Sequence, residues 1–234
     1  MVSQSINAPM KALLAAILAD DRAKARAVLK AQPEFATSLN KAGRLYQGKI
    51  FHWFYVGDTA LHLAAAGYRV EIVRLLLAAG ADPHAVANRR QSGPLHYASD
   101  GSIDSPAWNA KRQRKTLEVL LDARADINAP DKNGATPLHR AVRTRCAAAV
   151  KYLLERGADA PRKNKSGSTP FHLAVQNTGR GGSGTETAKA AQREIIESFL
   201  ALGLNPNLKD GTGKSVLACA KSAWIRDVLL EKSA

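Results

Sequence analysis

Four histidines recur in one local setting along this chain: Thr59-Ala-Leu-His62, Gly93-Pro-Leu-His96, Thr136-Pro-Leu-His139 and Thr169-Pro-Phe-His172. A row of imidazoles can ligate a metal or carry protons, so their spacing is the first test. The steps between them are 34, 43 and 33 residues. Zinc ligands usually lie a few positions apart or face one another, whereas units repeating at this period stack about 10 Å apart. These histidines are therefore expected to be structural, as buried polar groups with fixed partners. Gly211-Thr-Gly-Lys-Ser215 ends like a phosphate-binding loop, but that pattern needs a glycine where Leu208 stands. Gly179-Arg-Gly-Gly-Ser-Gly184 precedes a helix rather than joining strand to helix, and reads as a flexible link. Cys146, close to Arg143 and Arg145, sits where packing is expected, and no Ser/His/Asp or Cys/His set has local support. The chain is expected to be no enzyme, with no catalytic residue, no metal and no cofactor.

The elements that position these residues follow from the same motif. Thr before Pro is a helix N-cap followed by proline at the first helical position, where its missing N–H costs nothing. Leu61, Leu95, Leu138 and Phe171 then point into a stack. A second helix carries Val70, Val73, Leu76 and Leu77 at helical spacing and stops at Gly80. Three such runs close on Ala81-Asp82, Ala125-Asp126 and Ala158-Asp159. A helix pair of this size cannot bury its apolar face alone, so neighbouring pairs must stack.

Asp131-Lys-Asn-Gly-Ala-Thr-Pro-Leu-His-Arg-Ala141 and Val150-Lys-Tyr-Leu-Leu-Glu-Arg-Gly-Ala-Asp159 resemble the ankyrin repeat almost in full. The resemblance covers roughly residues 54 to 230, and its last copy is degenerate, with Ala218 at the histidine position. Pro9 to Ala19 and Asp21 to Ala31 read as a capping helix pair. The wording around Asn164-Lys-Ser-Gly-Ser-Thr-Pro170 looks like bacterial members. The resemblance implies an all-α solenoid of about five helix–turn–helix repeats, joined by short turns or β-hairpins, behind an N-terminal capping pair. It also implies that His62, His96, His139 and His172 bridge backbone groups of adjacent turns. The expected division of the single domain 1–234 is a cap and connecting segment (1–53), repeats over 54–87, 88–130, 131–163 and 164–209, and a closing repeat (210–234).

Counting locates the irregularities. From the Ala-Asp aspartate to the next histidine takes 14, 13 and 13 residues, so the inter-repeat turn is nearly constant. From histidine to the closing Asp or Asn takes 20, 30, 20 and 33 residues, so the second and fourth repeats carry all the extra length between their helices. Ser105-Pro106 is a helix-start signal, and a helix over Pro106 to Ala123 is expected. Thr185 is expected to cap a second one over Glu186 to Leu202. Both second helices then gain N-terminal turns, and the loops shrink to about 101–105 and 177–184.

Where the resembling family varies, it binds. Those positions carry Tyr55, Arg89, Arg90, Lys132, Arg143, Lys165 and Lys214 on the concave face, against the acids Asp58 and Asp100. A basic stripe with an aromatic at one end suits an extended acidic ligand. A secondary patch is Trp108 with Lys111, Arg112, Arg114 and Lys115 on the lengthened second-repeat helix, basic plus aromatic as nucleic-acid binders are. The first repeat departs from the pattern because Phe54 holds the usual Asp position.

Composition agrees with an acidic partner. Lys and Arg number 34 against 20 Asp and Glu, a formal charge of +14. Two cysteines in no metal or redox spacing fit a reducing compartment, and a cytoplasmic location is expected. No run approaches a membrane span. Leu13, Leu14, Ile17 and Leu18 fall on one face, so the apolar stretch 12–19 is expected to be a retained helix rather than a signal segment. The leading function is a non-enzymatic scaffold, monomer or weak dimer, binding an acidic protein through the basic concave face. Direct binding of nucleic acid or another polyanion by the same surface is the second reading.

Overall fold

In a computed structural model the chain is described over residues 8–41, 45–50, 52–101, 103–177 and 184–231. Six helix pairs follow one another: α1 (Ala8–Ala19) with α2 (Arg22–Ala31), α3 (Ala60–Ala66) with α4 (Val70–Ala78), and α5 (Pro94–Ser99) with α6 (Ala110–Asp122). Then come α7 (Pro137–Arg143) with α8 (Ala147–Glu155), α9 (Pro170–Ala174) with α10 (Glu186–Ala201), and α11 (Val216–Cys219) with α12 (Ala223–Glu231). First helices pack on first helices and second on second, so two parallel rows run the length of the stack. Leu61, Leu95, Leu138 and Phe171 are buried between the rows. Leu13, Leu14 and Ile17 of the capping pair close one end of the same core, so the apolar stretch there is a packed helix.

Each inter-repeat turn is built by one side chain. The first residue of the turn, Asn88, Asp131, Asn164 or Asp210, accepts from the N–H groups two and four residues on, at 2.8–3.1 Å. Such local side-chain bonds are why Asn and Asp favour turns. The first repeat cannot do this. Phe54, in the Asp position, is buried in the second strand of a short antiparallel hairpin, β1 (Leu45–Gln47) with β2 (His52–Phe54). There Asp58 accepts from the Tyr55 N–H at 2.7 Å instead.

Turns are also tied to each other. The Lys132 N–H donates to the Arg90 carbonyl, Lys165 to Asn133, and Gly211 to Gly167, at 2.8–2.9 Å. The last tie needs two glycines back to back: Gly167 has φ +78°, and a Cβ there would stand 2.3 Å from the Gly211 Cα. Gly167→Ala is expected to cost about 1–3 kcal/mol through backbone overlap and left-handed strain. Urea titration reads this directly, and an unchanged midpoint would mean that the two turns can part freely.

The inserts lengthen second helices: α6 has 13 residues and α10 has 16, against 9 in α4, α8 and α12. Thr185 caps α10 as expected, accepting from the Ala188 N–H at 3.2 Å. The start of α6 needs correction, because it begins at Ala110 rather than Pro106. Ser105 and Pro106 form a turn, with the Trp108 N–H bonded to the Ser105 carbonyl, and Asn109 takes the cap by accepting from the Arg112 N–H at 2.9 Å. The connecting loop therefore runs to Asn109. Thr185 donates to Asp104 at 3.4 Å, so the two inserts touch across the shorter third repeat. Residues 178–183, with most of the glycine-rich tract, lie outside the described residues.

Candidate functional site

The four histidines form a ladder. Each ring Nδ1 accepts from the backbone N–H of its own cap residue, Thr59, Gly93, Thr136 or Thr169, at 3.0–3.4 Å. That fixes the proton on Nε2, which donates to the next turn at 3.0–3.2 Å. The acceptors are the carbonyls of Ser92, Ala135, Ser168 and Lys214, each one residue before the following cap. Every ring thus measures one repeat and clamps the next. Burial holds His62 and His96 down to about 4 and lowers His139 as well.

A second network crosses the first three repeats. Asp58 is fully buried, receives the Tyr97 hydroxyl on both oxygens at 2.8–2.9 Å, and lies 4.0 Å from His62. Burial raises its pKa to about 6 against the opposing hydrogen bonds of Tyr55 and Tyr97. The His52 ring, on the hairpin, packs tilted against Tyr97, with ring centroids 4.6 Å apart, and reaches Asp100 at 3.5 Å. Arg140 completes the chain. Its side chain is 3% exposed and holds Asp100 at 2.9 Å, Asp131 at 3.1 Å and the Ser92 hydroxyl at 2.8 Å. Burial pushes the Asp100 carboxyl up, but Arg140, His52 and Arg143 together hold it well below the usual carboxylate range.

This network changes the charge of the concave face. Asp58 and Asp100, expected there as exposed acids, are withdrawn: the first is inside, and the second is neutralised by Arg140 with Arg143 at 3.5 Å. Arg89, Lys132, Lys165 and Lys214 are exposed, and none forms an ion pair among the described residues. Three turn-to-turn backbone bonds set the spacing of this stripe. Tyr55 and Arg90 are half-buried, and the guanidinium sits 5.6 Å over the ring and bonds its hydroxyl.

The secondary patch does not hold together. Trp108 turns inward and its indole N–H donates to Gln113 at 2.9 Å. On α6, Arg112 pairs with Asp20, Lys115 with Glu118 and Arg114 with Glu155, leaving Lys111 alone without an ion pair among the described members of the patch. Cys146 is buried and pushed up to about 11 by burial, so it is no activated thiolate.

Arg140, Tyr97 and His52 escape motif reading, yet one signal exists. The residue after the repeat histidine is Leu63, Tyr97, Arg140 or Leu173. An arginine in a slot that is otherwise apolar or aromatic is placed to be buried, and then it must be paired.

Two rows of stacked helix pairs with histidine-clamped turns define a linear repeat solenoid. The chain carries ankyrin repeats: residues 56–88 match the ankyrin-repeat model and 120–174 the model for ankyrin repeats in many copies. It is 38% identical over 84 residues to the mouse (Mus musculus) ankyrin repeat and SOCS box protein 6, covering 36% of this chain and 18% of that protein. It is 35% identical over 98 residues to the human B-cell lymphoma 3 protein, covering 40% and 19%. The matched segment thus spans under a fifth of these relatives. Among the described residues no helix is long and apolar enough to cross a membrane.

Proposed function

We propose that the chain is a non-enzymatic scaffold whose concave face binds an extended acidic segment of a partner protein. The observation that carries this reading is the uncompensated stripe of Arg89, Lys132, Lys165 and Lys214, beside which both nearby acids are internally consumed. Exposed charges attract weakly one by one, but a row at fixed spacing adds over an extended ligand and speeds encounter. Two free cysteines, Cys146 and Cys219, support a reducing, cytoplasmic setting.

The test is charge reversal that spares the fold. Arg89→Glu, Lys132→Glu and Lys165→Glu alter only side chains without ion pairs, whereas Arg90 is left alone because it braces Tyr55. The triple variant is expected to bind an acetylated, amidated hexaglutamate peptide at least about tenfold more weakly at low salt. It is also expected to lose partner capture from lysate. Equal affinity for the peptide and equal capture would reject the face. Tighter binding of a 20-base-pair duplex than of the peptide, with a log–log salt slope near about −5, would replace a protein ligand with nucleic acid.

A further inference from the structure

A cavity of about 230 Å³ opens where the β1–β2 hairpin leans over the corner of repeats one to three. Lys49 and His52 border it from the hairpin, Arg69 from the first repeat, Asp100 and Trp108 from the second, and Arg140 and Arg143 from α7. Arg90, next to the exposed stripe, borders it too. The hairpin is seated there by His52 on Tyr97 and by Ile50, which packs against Gly67 so closely that a Cβ at Gly67 would meet it at 2.8 Å.

The lining is strongly cationic. Lys49, Arg69, Arg90, Arg140 and Arg143 face a single carboxylate, Asp100, and Arg140 also spends charge on Asp131. Arg69 is fixed by donating to the neutral carbonyls of Ile17 and Leu18, so its charge has no counter-ion in those bonds. Arg143 is 52% exposed and only loosely set against Asp100, so it can turn toward a ligand. The buried Arg140 guanidinium keeps one N–H, on Nε, without an acceptor among the described residues. Buried donors of this kind are rare and seek a partner.

Size selects the ligand. The cavity has room for about seven waters at ~30 Å³ each, more than the five heavy atoms of a glutamate side chain. It is below the roughly 300 Å³ at which pockets for drug-sized molecules begin. We propose that this cavity is an anchor pocket for one carboxylate side chain of the acidic segment, held by Arg143 and Lys49 at the mouth and by Arg140 at the floor. This rests on the acidic-ligand reading of the concave face and adds a defined socket at the end of the stripe.

The experiment follows the Trp108 indole N–H by NMR, with the signal assigned through Trp108→Phe, while hexaglutamate, glutarate and inorganic phosphate are titrated in parallel. Hexaglutamate and glutarate are expected to shift the Trp108 signal with saturation, and phosphate to shift it less. Lys49→Glu with Arg143→Glu should weaken hexaglutamate at least about tenfold, while Asp100→Asn should tighten it. Opposite signs at one cavity separate binding from loss of structure. If the stripe reversal weakens hexaglutamate but the Trp108 signal and the Lys49/Arg143 variant show no response, the socket is wrong and the face stands. If phosphate moves the signal and both carboxylates do not, the ligand class is wrong. If hexaglutamate does not bind at all, face and socket fall together.

Discussion

Replacing Arg140 with methionine is expected to remove about 3–5 kcal/mol from the free energy of unfolding. The guanidinium is buried between two repeats, and its loss leaves the Asp100 and Asp131 carboxylates without their main counter-charge. His52 and Arg143, each 3.5 Å from Asp100, cover that group in part, while Asp131 retains the N–H donors of its own turn. The cost therefore comes from stranded charge rather than lost packing, because methionine fills most of the arginine stem. The triple change Arg140→Met, Asp100→Asn and Asp131→Asn is accordingly expected to recover most of the loss, as replacing a whole buried ion cluster is often near neutral. Urea unfolding of the three proteins at one pH decides it. A single substitution costing under about 1 kcal/mol, or a triple variant no better than the single, would show that Arg140 does not pin the second repeat to the third.

The repeated part of this molecule was legible because its constraints are local. A Thr-Pro pair, an Asn or Asp five residues before the cap and a glycine past the second helix each act within a few residues. Their recurrence at one period therefore reports the stack, its turns and the place of both inserts. Thr185 obeyed the same logic and capped α10, whereas Ser105-Pro106 lost to Asn109. The side chain of Asn109 reaches the third helical N–H while Trp108 turns inward to Gln113. What motif reading missed lies between units. His52 meets Asp100 across 48 positions and Arg140 meets it across 40, distances over which no local pattern operates. Asp58 and Asp100 consequently looked like exposed acids on the binding face. Only the pairing of Asp100 with a buried arginine, and of Asp58 with a buried tyrosine, shows how one-sided the remaining charge is. The candidate site is thus readable as a list of basic residues from sequence, but its net sign and its socket depend on tertiary contacts.

Acidification is expected to destabilise the fold between pH 6.5 and about 4, and the sign follows from the ladder. In the unfolded chain a histidine gains its proton near 6.5, whereas folded His62 and His96 stay neutral down to about 4 because burial opposes the charge. The unfolded state then binds more protons throughout that window, so stability falls as pH falls. Each ring contributes about 3 kcal/mol by this route, and His139 acts in the same direction. Protonation also breaks the clamp, because a charged Nδ1–H would point at the cap N–H that now donates to it. Asp58 works the other way. Its folded carboxyl takes a proton near 6 and its unfolded one near 3.8, so this group favours folding by about 3 kcal/mol more at pH 4 than at pH 7. His62 feels that group directly, at 4.0 Å, together with the Tyr97 ring at 5.0 Å and the Asn88 amide at 3.4 Å, while His96 feels the Arg140 charge. Two rings against one carboxyl leave a net loss of about 3 kcal/mol from pH 7 to pH 4. Asp58→Asn removes the compensation, so its loss over the same range should grow to about 6 kcal/mol. Urea titrations of both proteins at pH 7 and pH 4 measure the two slopes. A flat profile in the wild type, or a variant whose slope is no steeper, would show that the buried histidines do not govern the response to acid.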